Sequence, residues 1–129
     1  DLVPVAVDYG RERTGFAIYL SGTVVPLEPL TGSTWSGISE RLEKIREEQG
    51  EGTVVLGLPL TAGGRHTELS REVEGLTRYL KKEGFNVELV RETGTTAESA
   101  RDMDITRERN GRSDSLAAMV IMKRYLGMA

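Results

Sequence analysis

The feature that most constrains this chain is an acidic residue at the end of its first apolar run. Residues 2–7 are typical of a buried strand, and Asp8 follows them directly. A turn closed by Gly10 and Gly15 comes next, after which a second apolar run begins. A carboxylate buried at a strand end costs free energy unless a cation pairs with it. We therefore interpret Asp8 as a ligand of a divalent metal ion.

Composition limits the kind of metal that this chain can bind. The sequence contains no cysteine and one histidine, His66. Thiolate sites are thereby excluded, and a zinc site built from nitrogen and sulfur ligands is not expected. The metal must then be bound by oxygen atoms, which favours Mg²⁺ or Mn²⁺. We interpret His66 as a surface histidine in a loop and not as a catalytic residue.

Length and hydropathy indicate one globular domain that comprises residues 1–129. No run approaches the roughly 20 apolar residues that a membrane span needs. No charged and apolar leader precedes the first strand in the residues shown, so we expect no membrane association and no secretory signal there, and the absence of cysteine fits a reducing cytosol. The net charge of −3 argues against a histone-like binder of nucleic acid. It does not argue against a nuclease, because local charge sets the field at a cleft.

The first half of the chain predicts a three-stranded meander followed by a helix. The predicted strands cover residues 2–7, 15–20 and 23–27, and the turn Ser21-Gly22 favours a hairpin between the last two. Two prolines in and after the third strand suit a sheet edge, because neither donates a ladder hydrogen bond. Ser33 or Thr34 is predicted to cap a helix that ends at about residue 49, before a glycine.

The second half predicts two more strands, each followed by helical sequence. A continuous apolar strand covers residues 53–58 and ends at Gly57-Leu58-Pro59, before a mobile loop at residues 61–65. A helix over residues 67–82 precedes a strand at residues 86–90. Thr95 or Thr96 is predicted to cap a short helix. Residues 103–112 are polar and predicted to be irregular, and Ser113 is predicted to cap a final helix over residues 114–126.

The predicted order is therefore β-β-β-α-β-α-β-α-α. A meander followed by crossover units forms a mixed sheet of five strands with helices on both faces, an α/β fold. In such sheets reactive groups collect beyond the carboxyl ends of the parallel strands. Three such strand ends are predicted in this chain. Asp8 lies at the end of the first strand, Gly57 and Pro59 lie at the end of the fourth, and Glu92 lies at the end of the fifth. We expect these three segments to meet at one edge.

Asp114 is the third carboxylate that we assign to this edge. Taken alone, it is better explained as an acid at a helix start, favoured by the helix dipole. Because the helix that follows is apolar and packs on the sheet, it is expected to bring Asp114 near Asp8 and Glu92. Three converging carboxylates repel one another unless a cation neutralises them. One or two Mg²⁺ ions would do so and would also activate water for phosphodiester hydrolysis.

Four motifs of this chain resemble the YqgF (RuvX) family, RNase H-like proteins described as Holliday junction resolvase-like and as candidate pre-16S rRNA nucleases. The motifs occur in the family's order and cover nearly the whole chain: Val7-Asp8-Tyr9-Gly10 with Gly15, Val55-Leu56-Gly57-Leu58-Pro59-Leu60 with Gly63-Gly64, Glu92-Thr93-Gly94-Thr95-Thr96, and Ser113-Asp114-Ser115-Leu116-Ala117-Ala118. The resemblance implies a five-stranded sheet in the order 3-2-1-4-5 and a cytoplasmic bacterial protein. It also implies Mg²⁺-dependent phosphodiester hydrolysis, with Asp8, Glu92 and Asp114 as the acidic residues.

The segment around Glu92 departs from the family pattern. The family usually has Asp-Glu-Arg-Leu-Thr-Thr there, whereas this chain has Arg91-Glu92-Thr93-Gly94-Thr95-Thr96. The acid is kept, but a flanking arginine that would contact phosphate is missing. In addition, one strand is expected between those of Asp8 and Glu92, so their backbones start roughly 10 Å apart. Glutamate's length and the sheet twist must close that gap.

Two other functions are weighed against a nuclease. The spacing of Asp8, Gly10 and Gly15 also resembles the first phosphate loop of the actin and sugar-kinase superfamily, but those proteins need two related lobes and this chain supplies one. The other alternative is a non-catalytic nucleic-acid-binding or regulatory module with a weakened site. The altered segment at Glu92 favours that reading.

Nucleic acid, as structured rRNA precursor or branched DNA, is the expected partner, and several arginines near the predicted edge are candidate phosphate contacts. A plain solvated surface explains these arginines equally well. The oligomeric state, monomer or homodimer, stays open, although cleavage of a junction calls for a symmetric dimer. The candidate contacts are Arg11, Arg13, Arg65, Arg107, Arg109 and Arg112.

Overall fold

A computed structural model describes residues 2–93 and 112–128, the first three residues of the second segment by their backbone alone. In these two segments three strands come first, and helices and strands then alternate. The elements are β1 (Val5–Asp8), β2 (Arg13–Leu20), β3 (Thr23–Thr31), α1 (Trp35–Gln49), β4 (Val54–Leu60), α2 (Glu68–Lys82), β5 (Val87–Thr93) and α3 (Arg112–Tyr125).

The described strands form one mixed sheet in the order β3-β2-β1-β4-β5. β1 is antiparallel to β2 and parallel to β4, and β4 is parallel to β5. The carboxyl ends of β1, β4 and β5 therefore lie at the same edge of the sheet. This confirms the predicted α/β fold and the strand order 3-2-1-4-5.

Helices cover both faces of the sheet. Alternate residues of β1 and β4 join two separate apolar clusters, as expected of strands buried on both sides. Val7 and Leu56 pack with the apolar residues of α1 and α2 in the larger cluster. Ala6 and Val55 pack with Ala118 and other residues of α3 in the smaller one. A residue's place in the alternation thus decides which helices it faces.

Capping residues explain where α1 and α2 begin: Thr34 is one of the two predicted candidates, whereas Thr67 was predicted as the first helical residue and is the cap instead. The Oγ1 atom of Thr34 accepts a hydrogen bond from the Gly37 amide at 3.0 Å. Thr67 and Ser70 form a reciprocal capping box, in which each hydroxyl accepts a hydrogen bond from the other residue's amide. These bonds satisfy amide groups that lack partners in the first helical turn.

Several element boundaries differ from the prediction: β1 begins at Val5, β2 begins at Arg13, β3 continues to Thr31 and β5 continues to Thr93. Two further differences change how a predicted residue is interpreted. β4 continues to Leu60 and includes Pro59, which was expected to end it. β1 ends at Asp8, so from Leu58 onwards β4 has a paired neighbour only in β5, and a proline without an N–H is tolerated. The last helix begins at Arg112, so Ser113 lies inside the helix and is not its cap.

The segment predicted as a mobile loop is a compact turn. The Thr61 amide donates to the Arg65 carbonyl at 3.0 Å, and the Gly64 amide donates to the Thr61 carbonyl at 2.8 Å. The Arg65 amide in turn donates to Thr61 Oγ1 at 3.0 Å.

Within the described residues, no helix is long and apolar enough to cross a membrane.

Candidate active site

Asp8 and Glu92 lie on the same face of the sheet at its carboxyl edge. Asp8 is the last residue of β1 and follows Val7, which faces α1 and α2, so Asp8 belongs to the opposite face. Glu92 follows Val90 by two residues, and Val90 packs against the α3 cluster. Because side chains alternate along a strand, Asp8 and Glu92 share the face that α3 covers.

The Glu92 carboxylate reaches across β4 towards β1. Val7 is paired with Leu56 in the parallel β1–β4 ladder, so the next residue, Gly57, lies level with Asp8. Atom Oε1 of Glu92 is 2.8 Å from the position that a Cβ of Gly57 would occupy. Glu92 is 7% exposed. The carboxylate thus lies above β4, the strand that separates the two acids. This position shortens the distance that was expected from the backbone separation of Asp8 and Glu92.

Gly57 is consequently a structural part of the site. Any side chain there would meet Ile121 of α3, whose Cδ1 atom lies 2.5 Å from the Cβ position, as well as the Glu92 carboxylate. Real Cβ atoms do not approach other atoms this closely, so glycine is required for close packing of α3 and Glu92. The sequence interpretation placed Gly57 near the site but did not identify this reason.

Residue 114 lies in the first turn of α3, the helix that packs on this face. It precedes Ala118 by one helical turn, and Ala118 packs in the cluster that contains Ala6 and Ala17. The neighbouring Ser115 is 1% exposed, and its hydroxyl donates a hydrogen bond to the carbonyl of Leu27 in β3. The start of α3 is therefore attached to the sheet, whereas the Asp114 side chain lies outside the described part.

The described donor set is a pair of carboxylates, Asp8 and Glu92. Among the described residues, no group of three His, Cys, Asp or Glu side chains lies close enough to hold a metal ion. Two carboxylates on one face supply oxygen ligands, which suit Mg²⁺ or Mn²⁺ better than softer metals. The two described carboxylates therefore fit the kind of metal predicted from composition, and the side chain of Asp114, the third predicted ligand, lies outside the described part.

The glycine turn after Asp8 is tightly built. Asp8 is paired with Gly15 across the β1–β2 ladder. A Cβ at Gly10 would lie 2.4 Å from the carbonyl oxygen of Arg13, so only glycine fits there. The buried Thr14 donates a hydrogen bond to Ser33 at 2.7 Å, which connects the turn to the end of β3. These contacts explain the predicted glycine at position 10.

A network that the sequence did not predict attaches this turn to α2. Tyr9 donates a hydrogen bond from its hydroxyl to Glu72 Oε1 at 3.0 Å, and Arg11 donates from Nε to Glu72 Oε2 at 2.8 Å. Arg11 also contacts Glu72 through Nη2 and lies 3.6 Å from Glu68. Glu72 is 61 and 63 residues away from its two partners, so no local pattern could have identified it.

The network perturbs the titration of its members in the expected directions. Hydrogen bonds from Arg11 lower the pKa of Glu72. Burial, followed by the hydrogen bond to Glu72, raises the pKa of Tyr9.

An open cleft of about 460 Å³ lies beside the network, between the turn and the start of α2. Its lining includes Arg11, Glu12 and Glu68, so its charge is mixed.

The predicted arginines have different surroundings. Arg13 and Arg65 are exposed at the carboxyl edge, and Arg11 is held by Glu72. Arg112 opens α3, while Arg107, Arg109 and the predicted cap Thr95 lie outside the described residues. His66 is an exposed residue whose Nδ1 lies 3.0 Å from Ser70 Oγ, as expected of a surface histidine.

Comparison with protein families gives one match over nearly the whole chain. The family model described as RuvX, Holliday junction resolvase, matches residues 3–128. A protein of Oleidesulfovibrio alaskensis named "Putative pre-16S rRNA nuclease" is 30% identical over 131 residues, an alignment of 96% of this chain and 91% of that protein. A Bordetella parapertussis protein of the same name is 30% identical over 125 residues, with 95% and 91% covered.

Solved structures show the same fold at low sequence identity. RuvC of Thermus thermophilus in complex with a Holliday junction substrate gives a TM-score of 0.57 at 15% identity, covering 100% of this chain and 98% of that one. The large terminase nuclease of thermophilic phage G20c with bound zinc gives 0.59 at 15% identity, covering 94% and 78%. Its magnesium-bound form gives 0.54 at 15% identity, covering 92% and 79%.

Proposed function

This chain belongs to the RuvX family, and we propose that it is a metal-dependent endonuclease that hydrolyses phosphodiester bonds of structured nucleic acid. The observation that supports the proposal most is the position of the Glu92 carboxylate, which lies above Gly57 on the face and edge where Asp8 ends β1. Two acids from strands that are not neighbours converge there, and the chain offers no cysteine and only one exposed histidine for another chemistry.

Asp8, Glu92 and Asp114 are the proposed ligands of Mg²⁺ or Mn²⁺. When bound, such an ion acts as a Lewis acid on a phosphoryl oxygen and makes a bound water more acidic. Asp8 and Glu92 would hold the ion at the sheet edge, or Glu92 would instead act as the base that orients the attacking water and accepts its proton. The phage terminase nuclease, which shares the fold, has been solved with magnesium and with zinc.

Positive side chains around the edge are proposed to hold the phosphate backbone. Arg13 and Arg65 are exposed there, and Arg112 opens the helix that carries Asp114. Arg107 and Arg109 precede that helix in the sequence and join the same proposed set. Such contacts fix the register of the substrate and do not select a base sequence.

Pre-16S rRNA or a Holliday-junction-like DNA is the proposed substrate. Curated relatives are named for pre-16S rRNA, and the RuvC structure with the same fold contains a Holliday junction. We propose a cytoplasmic location, which the relatives named for pre-16S rRNA favour, and a single catalytic domain over residues 1–129. Symmetric cleavage of a junction would call for a homodimer, whereas a monomer suffices for one RNA strand.

Cleavage of structured rRNA precursor and of four-way DNA junctions, each with Mg²⁺ or Mn²⁺, tests the proposal. We expect the wild type to cleave one class of substrate and Asp8→Asn to lose at least about a hundredfold in rate. Glu88→Gln is the matched control, because Glu88 lies in the same strand as Glu92 but away from the edge and contacts Tyr125. Equal activity of Asp8→Asn and the wild type would refute the assignment.

A non-catalytic nucleic-acid-binding module is the second candidate. It is favoured by one specific observation, the replacement of the family's residues around Glu92 by Arg91, Thr93 and Gly94. Such a module would bind the same substrates, with affinity that falls as salt rises, and cleave none of them. Binding without cleavage, in the presence of either metal, would support this candidate over the nuclease.

A further inference from the structure

Glu72 of α2 holds the residues on both sides of Gly10, directly after Asp8. Its Oε1 atom accepts a hydrogen bond from the Tyr9 hydroxyl at 3.0 Å, and its Oε2 atom accepts one from Arg11 Nε at 2.8 Å. One carboxylate thus connects the turn between β1 and β2 to a helix on the opposite face of the sheet from Asp8.

The conformation of Asp8 depends on this turn. Asp8 is the last residue of β1, and the ladder between β1 and β2 ends at the Asp8–Gly15 pair. Beyond it, Tyr9 points to the α1 and α2 side, where the residue is 8% exposed and belongs to the larger apolar cluster. Because successive side chains of an extended chain leave the backbone on opposite sides, fixing Tyr9 on one face also fixes the direction in which the Asp8 side chain leaves the backbone on the other.

We infer that Glu72 is a positioning residue for Asp8, which acts by holding Tyr9 and Arg11 and thereby the turn that orients the Asp8 carboxylate towards Glu92. The main role of Arg11 is then to bind Glu72. The inference rests on the proposed function, in which Asp8 binds a metal ion and takes part in hydrolysis. It adds a residue from the far side of the sheet that touches neither metal nor substrate.

If Glu72 served only to stabilise the fold, its loss would lower the unfolding midpoint and leave the metal affinity of the folded protein unchanged. A positioning role predicts the reverse. Ion pairs between partly exposed groups contribute little to global stability, so loss of Glu72 is expected to leave the unfolding midpoint nearly unchanged. Loss of residues that orient a metal ligand typically costs about 10- to 100-fold in metal affinity or activity. We expect the lower end of that range, about tenfold, because Glu72 acts through the backbone of the turn.

The experiment compares Glu72→Ala with Glu74→Ala, a control in the same helix whose carboxylate lies 3.8 Å from the exposed His66. The first readout is Mn²⁺ affinity of the nucleic-acid-free protein, measured by calorimetry. The second is amide hydrogen exchange in residues 9–13. We expect Glu72→Ala to bind Mn²⁺ about tenfold more weakly and to exchange faster in the turn, and Glu74→Ala to behave as the wild type.

Nuclease kinetics add a third readout. We expect kcat to fall about tenfold in Glu72→Ala while KM for nucleic acid is unchanged or lower, because the variant releases Arg11 and removes a negative charge. Tyr9→Phe, which removes one of the two bonds, is expected to show a smaller loss of the same kind. Glu72→Gln, which keeps an acceptor for Tyr9, replaces Glu72→Ala if circular dichroism shows that the alanine variant does not fold.

The outcomes separate the inference from the function on which it rests. If the wild type cleaves and Glu72→Ala binds Mn²⁺ as tightly as the wild type does, the inference is wrong and the function stands. If the wild type binds Mn²⁺ but cleaves no substrate, the function fails, and the Mn²⁺ affinity of Glu72→Ala still decides the inference. A wild type that binds no Mn²⁺ overturns both.

Discussion

Atom Oε1 of Glu92 lies 2.8 Å from the point where a side chain at Gly57 would begin, so the acid of one strand occupies the space left by the glycine of the next. Ile121 of α3 fills the rest of that space, with its Cδ1 atom 2.5 Å from the same point. Gly57 thereby allows both the close packing of α3 and the position of the Glu92 carboxylate above β4, the strand next to that of Asp8.

Gly57→Ala is expected to cost about 1–3 kcal/mol of unfolding free energy, because a methyl group there overpacks the core. It is also expected to lower cleavage at least about tenfold, since displacing a ligand by about 1 Å is sufficient for such losses. Urea unfolding and initial rates measure the two effects.

Gly63→Ala is the matched control for this substitution, because its nearest atoms lie 3.9 and 4.0 Å from the Cβ position. Combining Gly57→Ala with Ile121→Val removes the Cδ1 contact and should restore part of the stability. It should not restore activity, because the contact with Glu92 remains. Full activity of the double variant would show that the position of Glu92 is irrelevant to hydrolysis.

Metal binding is expected to depend on all three acids. Asp8→Asn, Glu92→Gln and Asp114→Asn should each weaken Mn²⁺ binding by at least about tenfold, because each removes an anionic oxygen ligand. Calorimetry without nucleic acid measures this directly, and chelation of the metal should abolish cleavage. Glu88→Gln should bind Mn²⁺ like the wild type, and an unchanged affinity in Asp114→Asn would remove Asp114 from the ligand set.

The salt dependence of binding should identify the arginines that contact phosphate. Replacing one such arginine by alanine reduces the slope of log affinity against log salt by about 0.9 for duplex DNA and about 0.7 for a single strand. We expect this for Arg13→Ala, Arg65→Ala and Arg109→Ala. Lys82→Ala, at the opposite end of α2, is the control, and a slope equal to that of the wild type in Arg65→Ala would exclude this contact.

The pKa of Glu72 predicts how stability changes with pH. Arg11 lowers the pKa of Glu72 in the folded state, so the ionised carboxylate stabilises the fold above its unfolded pKa of about 4.3. That contribution is lost as the pH falls through the lower, folded pKa.

Thermal unfolding of the wild type and of Glu72→Gln between pH 7 and pH 3 tests this expectation. The wild type should be slightly more stable at pH 7, and the difference should shrink towards zero in acid. A difference that is the same at both ends of the range would show that the pair with Arg11 does not perturb Glu72.

Much of the fold follows from local patterns in the sequence. The alternation of turn signals and apolar runs predicted all of the described strands and the helices that begin after Thr34 and Thr67. These elements could be predicted because buried residues recur at the period of a helix or a strand, and because particular residue types occur at helix ends. The errors fell at ends of elements. Pro59 stays within β4 because β1 has already ended beside it, a condition that is set by a strand about 50 residues away.

The sequence by itself determined which metal-binding residue types this protein can offer, because these types are fixed by composition. With no cysteine and one histidine, only carboxylates were available, and Asp8 and Glu92 could be named from the ends of their strands. The tertiary structure decided how Asp8 and Glu92 are arranged relative to each other. The strand order places Gly57 between them, and the packing of α2 brings Glu72 to the turn after Asp8. Contacts between residues more than 30 positions apart leave no periodic trace in a single sequence, so only the folded chain could reveal them.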